Sequence, residues 1–87
     1  MSVKTSLNRA YKILSKKELA TQLGVAYQSI DGWRMRNKMP HTEYSGGTFH
    51  ALAIQEATDG EVTIEDLLGF IPPPQQDRIN AGAQANK

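Results

Sequence analysis

The spacing of small and apolar residues between positions 19 and 33 constrains the fold of this chain more than any other feature. Leu19-Ala20, Gly24-Val25, Ile30 and Trp33 follow one another with three, four and two residues between them. Ala20 is small enough for two helices to cross closely, and Gly24 can adopt the left-handed conformation that ends a helix. Val25, Ile30 and Trp33 then anchor a second helix whose opposite face protrudes. The spacing predicts a helix-turn-helix, in which two short helices are joined by a tight turn.

Capping residues and apolar periodicity place five short helices along the chain. Ser15 and Glu18 form a capping box, in which each side chain bonds the backbone N–H of the other residue, so a helix starts at Lys16. Thr63 and Asp66 have the same spacing and start the last helix. The predicted ranges are about 4–14, 16–23, 27–36, 49–58 and 64–68. We expect an all-α fold, a compact bundle of about five short helices that includes the helix-turn-helix.

The remaining segments lack helical periodicity. Residues 41–47 are predicted to form a flexible loop, after which Thr48 caps the fourth predicted helix. That helix is expected to turn four residues inward: Phe49, Leu52, Ala53 and Ala57. Residues 72–87 are rich in Pro, Gln and Asn and contain almost nothing to bury. We therefore expect a domain over residues 1–71 and a flexible tail over residues 72–87.

Composition excludes several classes of protein. A chain of 87 residues is too short for two independent cores, and without cysteine it has no disulfide framework, Cys-based zinc site or thiol nucleophile. No apolar run approaches the roughly 18 residues of a membrane span. Polar Ser2 and Lys4 follow Met1 without an apolar stretch, so we expect no membrane association and a cytoplasmic location.

The net charge of +1 conceals two segments of opposite charge. Residues 1–40 carry eight Lys and Arg and two acidic residues, for a net charge of +6. Residues 41–71 carry six acidic residues and no Lys or Arg, for a net charge of −6. One half of the domain can therefore face a polyanion while the other half faces away.

The residues best suited to metal binding or acid–base chemistry are His41, Glu43 and His50, but their spacing matches no complete ligand set. The pair at 46–47, Gly-Gly, lacks the following Lys and the preceding strand of a phosphate-binding loop. We therefore expect no enzymatic activity, no metal or other cofactor, and no small-molecule ligand.

The helix-turn-helix segment resembles a known family of regulators. Residues 15–40, SKKELATQLGVAYQSIDGWRMRNKMP, are similar to the helix-turn-helix of the Cro/CI-type phage repressors, a lambda-repressor-like family, and of the YdaS-like antitoxin regulators. Residues 54–68, IQEATDGEVTIEDLL, are similar to the fourth and fifth helices of those regulators, so the resemblance covers residues 5–70. The loop 41–47 is longer than usual, and Ala26 replaces a common capping Ser or Thr. The resemblance implies a transcriptional regulator, a phage or prophage repressor, that binds a double-stranded DNA operator.

The same resemblance implies that the front of the third predicted helix reads base edges. Tyr27 and Gln28 occupy its first turn, and Asp31 lies one turn further along. Gln can hold N6 and N7 of adenine, Tyr can pack on a thymine methyl group or bond a phosphate, and Asp can accept from the N4 amine of cytosine. Phosphates repel a nearby carboxylate unless a hydrogen-bond donor pairs with it. The alternative for Asp31 is therefore a solvated helix residue.

Two groups of residues around that helix are candidates for phosphate contacts. Ser15, Lys16 and Lys17 combine positive charge with the free N–H groups of a helix N-terminus. On the other side lie Ser29, Arg34, Arg36 and Lys38. The alternative for Arg34, Arg36 and Lys38 is that their positive charges only offset the dipole of the helix. Trp33 is assigned to the core rather than to DNA stacking, because it lies one turn from Ile30.

One recognition helix contacts only a few base pairs, so we expect a homodimer on two half-sites. The end of the domain carries five large apolar residues within eight positions, more than one short helix can bury: Ile64, Leu67, Leu68, Phe70 and Ile71. These residues form the expected dimer interface, unless Phe70 and Ile71 fold back over the first helix of the same chain. The alternative function is an antitoxin-like protein-binding module in which DNA binding is secondary.

Overall fold

A computed structural model describes residues 2–85, and over this range the chain is all-helical. The helices of this range are α1 (Val3–Ile13), α2 (Lys16–Leu23), α3 (Tyr27–Arg36), α4 (Thr42–Ser45), α5 (His50–Ala57), α6 (Ile64–Leu68) and α7 (Pro73–Ala85). The predicted all-α bundle is confirmed, with α4 and α7 in addition to the five predicted helices. Residues 1, 86 and 87, which belong to the predicted domain and tail, lie outside the described residues.

The helix-turn-helix is formed by α2 and α3, and local signals explain its boundaries. The Ser15 hydroxyl oxygen accepts a hydrogen bond from the backbone N–H of Glu18, and α2 ends at Gly24, whose φ is +70°. α3 begins after Ala26 and has no side-chain cap, as predicted from the lack of a polar side chain at that residue. It ends at Asn37 in the left-handed conformation, with φ of 55°. Both helices have their predicted bounds, and the signals that start and stop α2 lie within a few residues of its ends.

A single apolar core holds α3 against its neighbours. α3 packs on α1 and α2, α5 packs on α2, and α6 packs on both α5 and α1. The core consists of Leu7, Ala10, Leu19, Ala20, Ile30, Trp33, Met39, Ala51, Ile54, Val62, Ile64, Leu67 and Leu68. The Trp33 ring stacks on that of His50 with 5.2 Å between centroids. Ile30 and Trp33 are buried together on one face of α3, which confirms the core assignment of Trp33.

The start of α5 differs from the prediction because its cap comes from a distant residue. The carboxylate of Glu43 accepts hydrogen bonds from the backbone N–H groups of His50, at 2.9 Å, and Ala51, at 2.8 Å. Thr48, which was predicted to cap this helix, instead donates its hydroxyl to Glu43. The helix is also rotated relative to the prediction: Ala51 and Ile54 are buried, whereas the predicted inward residues are only half-buried.

Glu43 reaches α5 because the segment predicted to be a flexible loop contains a helical turn. α4 buries the Glu43 side chain completely while the residues on either side of it remain more accessible. A buried carboxylate requires hydrogen-bond donors, and the exposed N–H groups at the start of α5 provide them. The prediction of a flexible loop over residues 41–47 is therefore wrong for residues 42–45.

The C-terminal segment, predicted to be flexible, is helical and packs against α4. α7 begins with proline at its first position, where the missing N–H group carries no penalty. The Gln75 side chain is fully buried, and its amide group donates to the backbone oxygens of Glu43, at 3.0 Å, and Thr48, at 3.1 Å. Pro72 is buried and Ile79 packs partly against the core. The polar composition of this segment therefore gave no sign of Pro72, Gln75 and Ile79, which recur at helical spacing and pack against the rest of the chain.

The close approach of α7 to α4 gives a test of this packing. Gly46 has φ of +86°, and a Cβ atom there would lie 2.8 Å from the Cβ of Pro74. Gly69 has φ of +84° with open space around it. Both Gly→Ala substitutions incur the left-handed penalty of about 1–2 kcal/mol, but Gly46→Ala adds a clash of about 1–3 kcal/mol. Urea unfolding followed by circular dichroism should give the larger loss for Gly46→Ala. Equal losses would contradict the packing of α7 on Gly46.

Candidate nucleic-acid interface

α3 presents a polar surface at its N-terminal end. The side chains of Tyr27, Gln28 and Ser29 project into solvent, and 49% of the Tyr27 surface is exposed. Ile30 and Trp33 hold the opposite face of the helix in the core. The protruding residues of α3 therefore stand on a rigid support, as the spacing of apolar residues predicts.

The N-terminus of α2 lies next to this surface and carries the first cationic group. Lys16 and Lys17 are exposed, and the first N–H groups of any helix have no partner within it. The Ser15 hydroxyl is occupied by the cap, so Ser15 can offer a phosphate its backbone rather than its side chain. Ser15, Lys17, Glu18 and Thr21 line a shallow depression in the surface at this end of α2. Positive charge and helix N–H groups together favour an anion at this point.

Asp31 belongs to a cluster that joins α1, α2 and α3. Its Oδ1 accepts a hydrogen bond of 2.9 Å from the hydroxyl of Tyr11, and its Oδ2 accepts one of 3.3 Å from Nζ of Lys16. Arg34 Nε lies 3.5 Å from Oδ1, an ion pair between residues one turn apart. The Tyr11 ring lies beside both cations, 5.3 Å from Lys16 Nζ and 5.9 Å from the Arg34 guanidinium carbon. The carboxylate is thus directed towards its own chain.

The cluster changes the acidity of two of its members. Burial, followed by the hydrogen bond to Asp31 and the charge of that carboxylate, raises the pKa of Tyr11 to about 12. Partial burial alone would raise the pKa of Asp31, but hydrogen bonds from Tyr11 and Lys16 and the charges of Lys16 and Arg34 lower it below its ordinary value. Asp31 is therefore held as a carboxylate, and Tyr11 as a neutral donor. Tyr11 is not among the candidate residues that the sequence indicates, although a half-buried phenol normally needs a partner for its hydroxyl.

The second cationic group lies at the C-terminal end of α3. Arg36 and Lys38 are exposed, and both line a concavity with Met39, Pro40 and His41. The Arg36 guanidinium lies over Gly32, 3.4 Å from the position that a Cβ atom there would occupy. The structure thus places two cationic groups beside α3, one next to Asp31 at its middle and the other at its C-terminal end. Arg34 differs from the other two, because it is partly buried beside Asp31.

The structure removes three residues from the expected dimer interface. Ile64, Leu67 and Leu68 are 0%, 2% and 5% exposed, because α6 directs them into the core of its own chain. Ile71 is half-buried and packs against the same core. Phe70 is 53% exposed, and its ring lies 5.8 Å from that of Tyr44. The exposed apolar surface at this end of the molecule is therefore the Phe70–Tyr44 pair.

The residues considered for metal or acid–base chemistry have structural partners. Glu43 caps α5, and His50 stacks on Trp33. Within residues 2–85, no three His, Asp or Glu side chains are grouped so as to hold a metal ion. None of the helices in this described range is long and apolar enough to cross a membrane.

The raised pKa of Tyr11 predicts a specific loss of stability in alkali. The folded state keeps the phenol neutral up to about pH 12, whereas the unfolded chain releases this proton near the ordinary value of 10.0. The contribution is complete below pH 10 and is lost as the pH rises towards 12. Urea unfolding across this range should show a steeper fall for the wild type than for Tyr11→Phe. The exposed Tyr27 lies outside the cluster, so Tyr27→Phe should keep the wild-type fall; a Tyr11→Phe curve parallel to wild type would contradict the buried hydrogen bond.

Comparison with known proteins identifies a family for the N-terminal part of the chain. Residues 3–45, about half of the chain, match the family described as the bacteriophage CI repressor helix-turn-helix domain. No curated protein and no solved structure matches the chain significantly. The match runs from α1 through α4, so the similarity of residues 54–68 to later helices of such regulators stays a prediction. The family is one of DNA-binding regulators rather than of enzymes. The helix-turn-helix half of this chain therefore belongs to the CI-type phage repressor family.

Proposed function

We propose that the chain is a sequence-specific repressor that inserts α3 into the major groove of double-stranded DNA. The observation that carries this proposal is the exposed polar end of α3, fixed from behind by Ile30 and Trp33, with one cationic group beside the middle of the helix and another at its C-terminal end. The major groove admits one α-helix and displays a distinct pattern of donors and acceptors for each base pair. Phosphates on either side of the groove then meet the two cationic groups.

In this complex Tyr27 and Gln28 read the bases. The Gln28 amide can donate and accept together, which suits N7 and N6 of adenine, and the Tyr27 ring can pack on a thymine methyl group. Lys16, Lys17 and the N-terminus of α2 contact one phosphate strand. The opposite strand is contacted by Ser29, Arg36 and Lys38, whereas Arg34 lies in the Asp31 cluster with Lys16 and contacts the same strand as Lys16.

The protein binds its operator as a homodimer through the Phe70–Tyr44 pair. One copy of α3 reads too few base pairs for specific affinity at physiological salt, so two copies on neighbouring half-sites are required. A two-fold interface places the same patch of each subunit in contact, which suits a pair of aromatic rings that can stack on their counterparts. Exposed Glu61 and Glu65 lie close in sequence, and their repulsion across the interface would weaken with salt.

Base reading and phosphate contact are separable by mutation. Gln28→Ala should cost about 1–3 kcal/mol on a duplex selected from a random pool and little on mixed-sequence DNA. Lys17→Ala should weaken binding to both duplexes and lower the salt slope by about 1. Fluorescence anisotropy over a range of salt concentrations measures both effects.

The matched control for the first substitution is Gln76→Ala, which removes the same side chain from the exposed surface of α7. It should leave both affinities unchanged. Equal losses for Gln28→Ala on the two duplexes would remove Gln28 from the reading residues. Failure of the wild type to bind any duplex, at any salt concentration, would overturn the proposed function.

The dimer makes a separate prediction. Phe70→Ala should weaken self-association at least about 10-fold, as expected for an aromatic anchor at an interface centre. Ile13→Ala removes another exposed apolar side chain, 44% exposed, from a different surface and should not affect it. Sedimentation at low and high salt concentration decides the point. A wild type that stays monomeric at high concentration, both free and on a pair of half-sites, would exclude the interface.

A further inference from the structure

We propose that Asp31 is a specificity-determining residue that restrains Lys16 and Arg34 and cancels one of their two charges, which lowers the affinity for DNA of random sequence. The inference rests on the proposed function, because it assigns this role within the same DNA-binding surface. It also changes the role of Asp31 from a reader of cytosine to a residue that acts through its cationic neighbours.

The orientation of the carboxylate is the first argument. Both oxygens of Asp31 are engaged within the chain, one by Tyr11 and Arg34 and the other by Lys16. The Asp31 side chain is only 26% exposed, whereas Tyr27, Gln28 and Ser29 on the same helix are exposed. A side chain that reads a base has to extend beyond the helix backbone to the base edge. Asp31 is instead held by Tyr11, Lys16 and Arg34 of its own chain.

The charge balance of the cluster is the second argument. Lys16 and Arg34 supply two positive charges and Asp31 one negative charge, so the cluster presents a net +1 to DNA where the two cations alone would present +2. Sequence-independent affinity for DNA depends on the number of phosphates that the protein neutralises, with a slope of about 0.9 per phosphate on a log–log salt plot. An acidic residue placed between two phosphate-binding cations therefore reduces binding to all sequences alike.

The geometry of the cations is the third argument. Lys16 lies on α2 and Arg34 on α3, and Asp31 ties both to Tyr11 on α1. Long cationic side chains lose conformational entropy when a phosphate fixes them. Pairing with Asp31 fixes them before DNA arrives, so they match phosphates best when α3 sits in its one correct register. The specific complex retains this benefit, while complexes in other registers do not.

The test compares Asp31→Asn with the wild type on mixed-sequence DNA and on a duplex selected from a random pool. Asparagine keeps an oxygen that can accept from Tyr11, so the fold is preserved while the charge is removed. On mixed-sequence DNA the salt slope should steepen by about 1, and the affinity at about 0.1 M salt should rise roughly 5- to 10-fold. On the selected duplex the gain should be smaller, so the ratio of specific to random affinity should fall.

Two matched variants separate this role from simpler ones. Asp59→Asn removes one negative charge from the exposed turn after α5, at a left-handed position that Asn tolerates, and controls for net charge. Tyr11→Phe loosens the cluster but keeps the carboxylate, so its salt slope should equal that of the wild type. Thermal unfolding by circular dichroism confirms that each variant is folded.

The outcomes distinguish failure of the inference from failure of the proposed function. If the wild type binds DNA and Asp31→Asn has the same slope and ratio as Asp59→Asn, the role of Asp31 is wrong and the proposed function stands. If Asp31→Asn instead loses affinity for the selected duplex alone, Asp31 reads a base. If the wild type binds neither duplex, both proposals fail. Should Asp31→Asn unfold, Asp31→Ser provides a second uncharged variant with the same expected slope.

Discussion

The burial of Ile30 and Trp33 is the interaction on which the rest of this structure depends. These two residues turn one face of α3 into the core, where α1, α2 and α5 meet it, and leave the other face free. Burying large side chains of this kind contributes about 1.5–3 kcal/mol each, a large share of the 5–15 kcal/mol available to a small domain. The position of every candidate base-reading residue follows from this anchoring, because rotation of α3 about its axis would move all of them together.

A buried carboxylate plays the equivalent role in the C-terminal half. Glu43 caps α5 with its side chain and receives Gln75 of α7 on its backbone oxygen, so one residue connects three helices. An unpaired carboxylate in this position would cost several kcal/mol, and each donor that surrounds it therefore has a large effect on stability. The arrangement substitutes directed hydrogen bonds for apolar burial in a segment that has few apolar residues.

The difference between the helix-turn-helix and the C-terminal half explains how much of the structure could be predicted from the sequence. The boundaries of α2 depend on Ser15 and Gly24, which act on residues beside them, so local reasoning finds them. The cap of α5 depends on Glu43, seven residues before His50, and the support of α7 depends on a contact across 32 residues. No periodicity or local propensity reports such contacts. Such contacts are decided by three-dimensional packing. The same is true of Ile64, Leu67 and Leu68: their closeness in sequence predicted an exposed dimer interface, but all three are buried in the core.

The charge distribution connects the fold with the proposed function. Sequence alone separates a cationic N-terminal segment from an acidic one, but it offers for Asp31 only a reader of cytosine or a solvated helix residue. The structure pairs this residue with Lys16, which is itself exposed, and with Arg34, whereas within residues 2–85 no ion pair forms at Lys17, Arg36 or Lys38. The cations of the proposed interface are thus of two kinds, some prearranged by a carboxylate and others free to adapt to any phosphate. Prearranged cations favour one register on the duplex and free cations favour none, so the balance between the two kinds sets how strongly the protein discriminates its operator from other DNA.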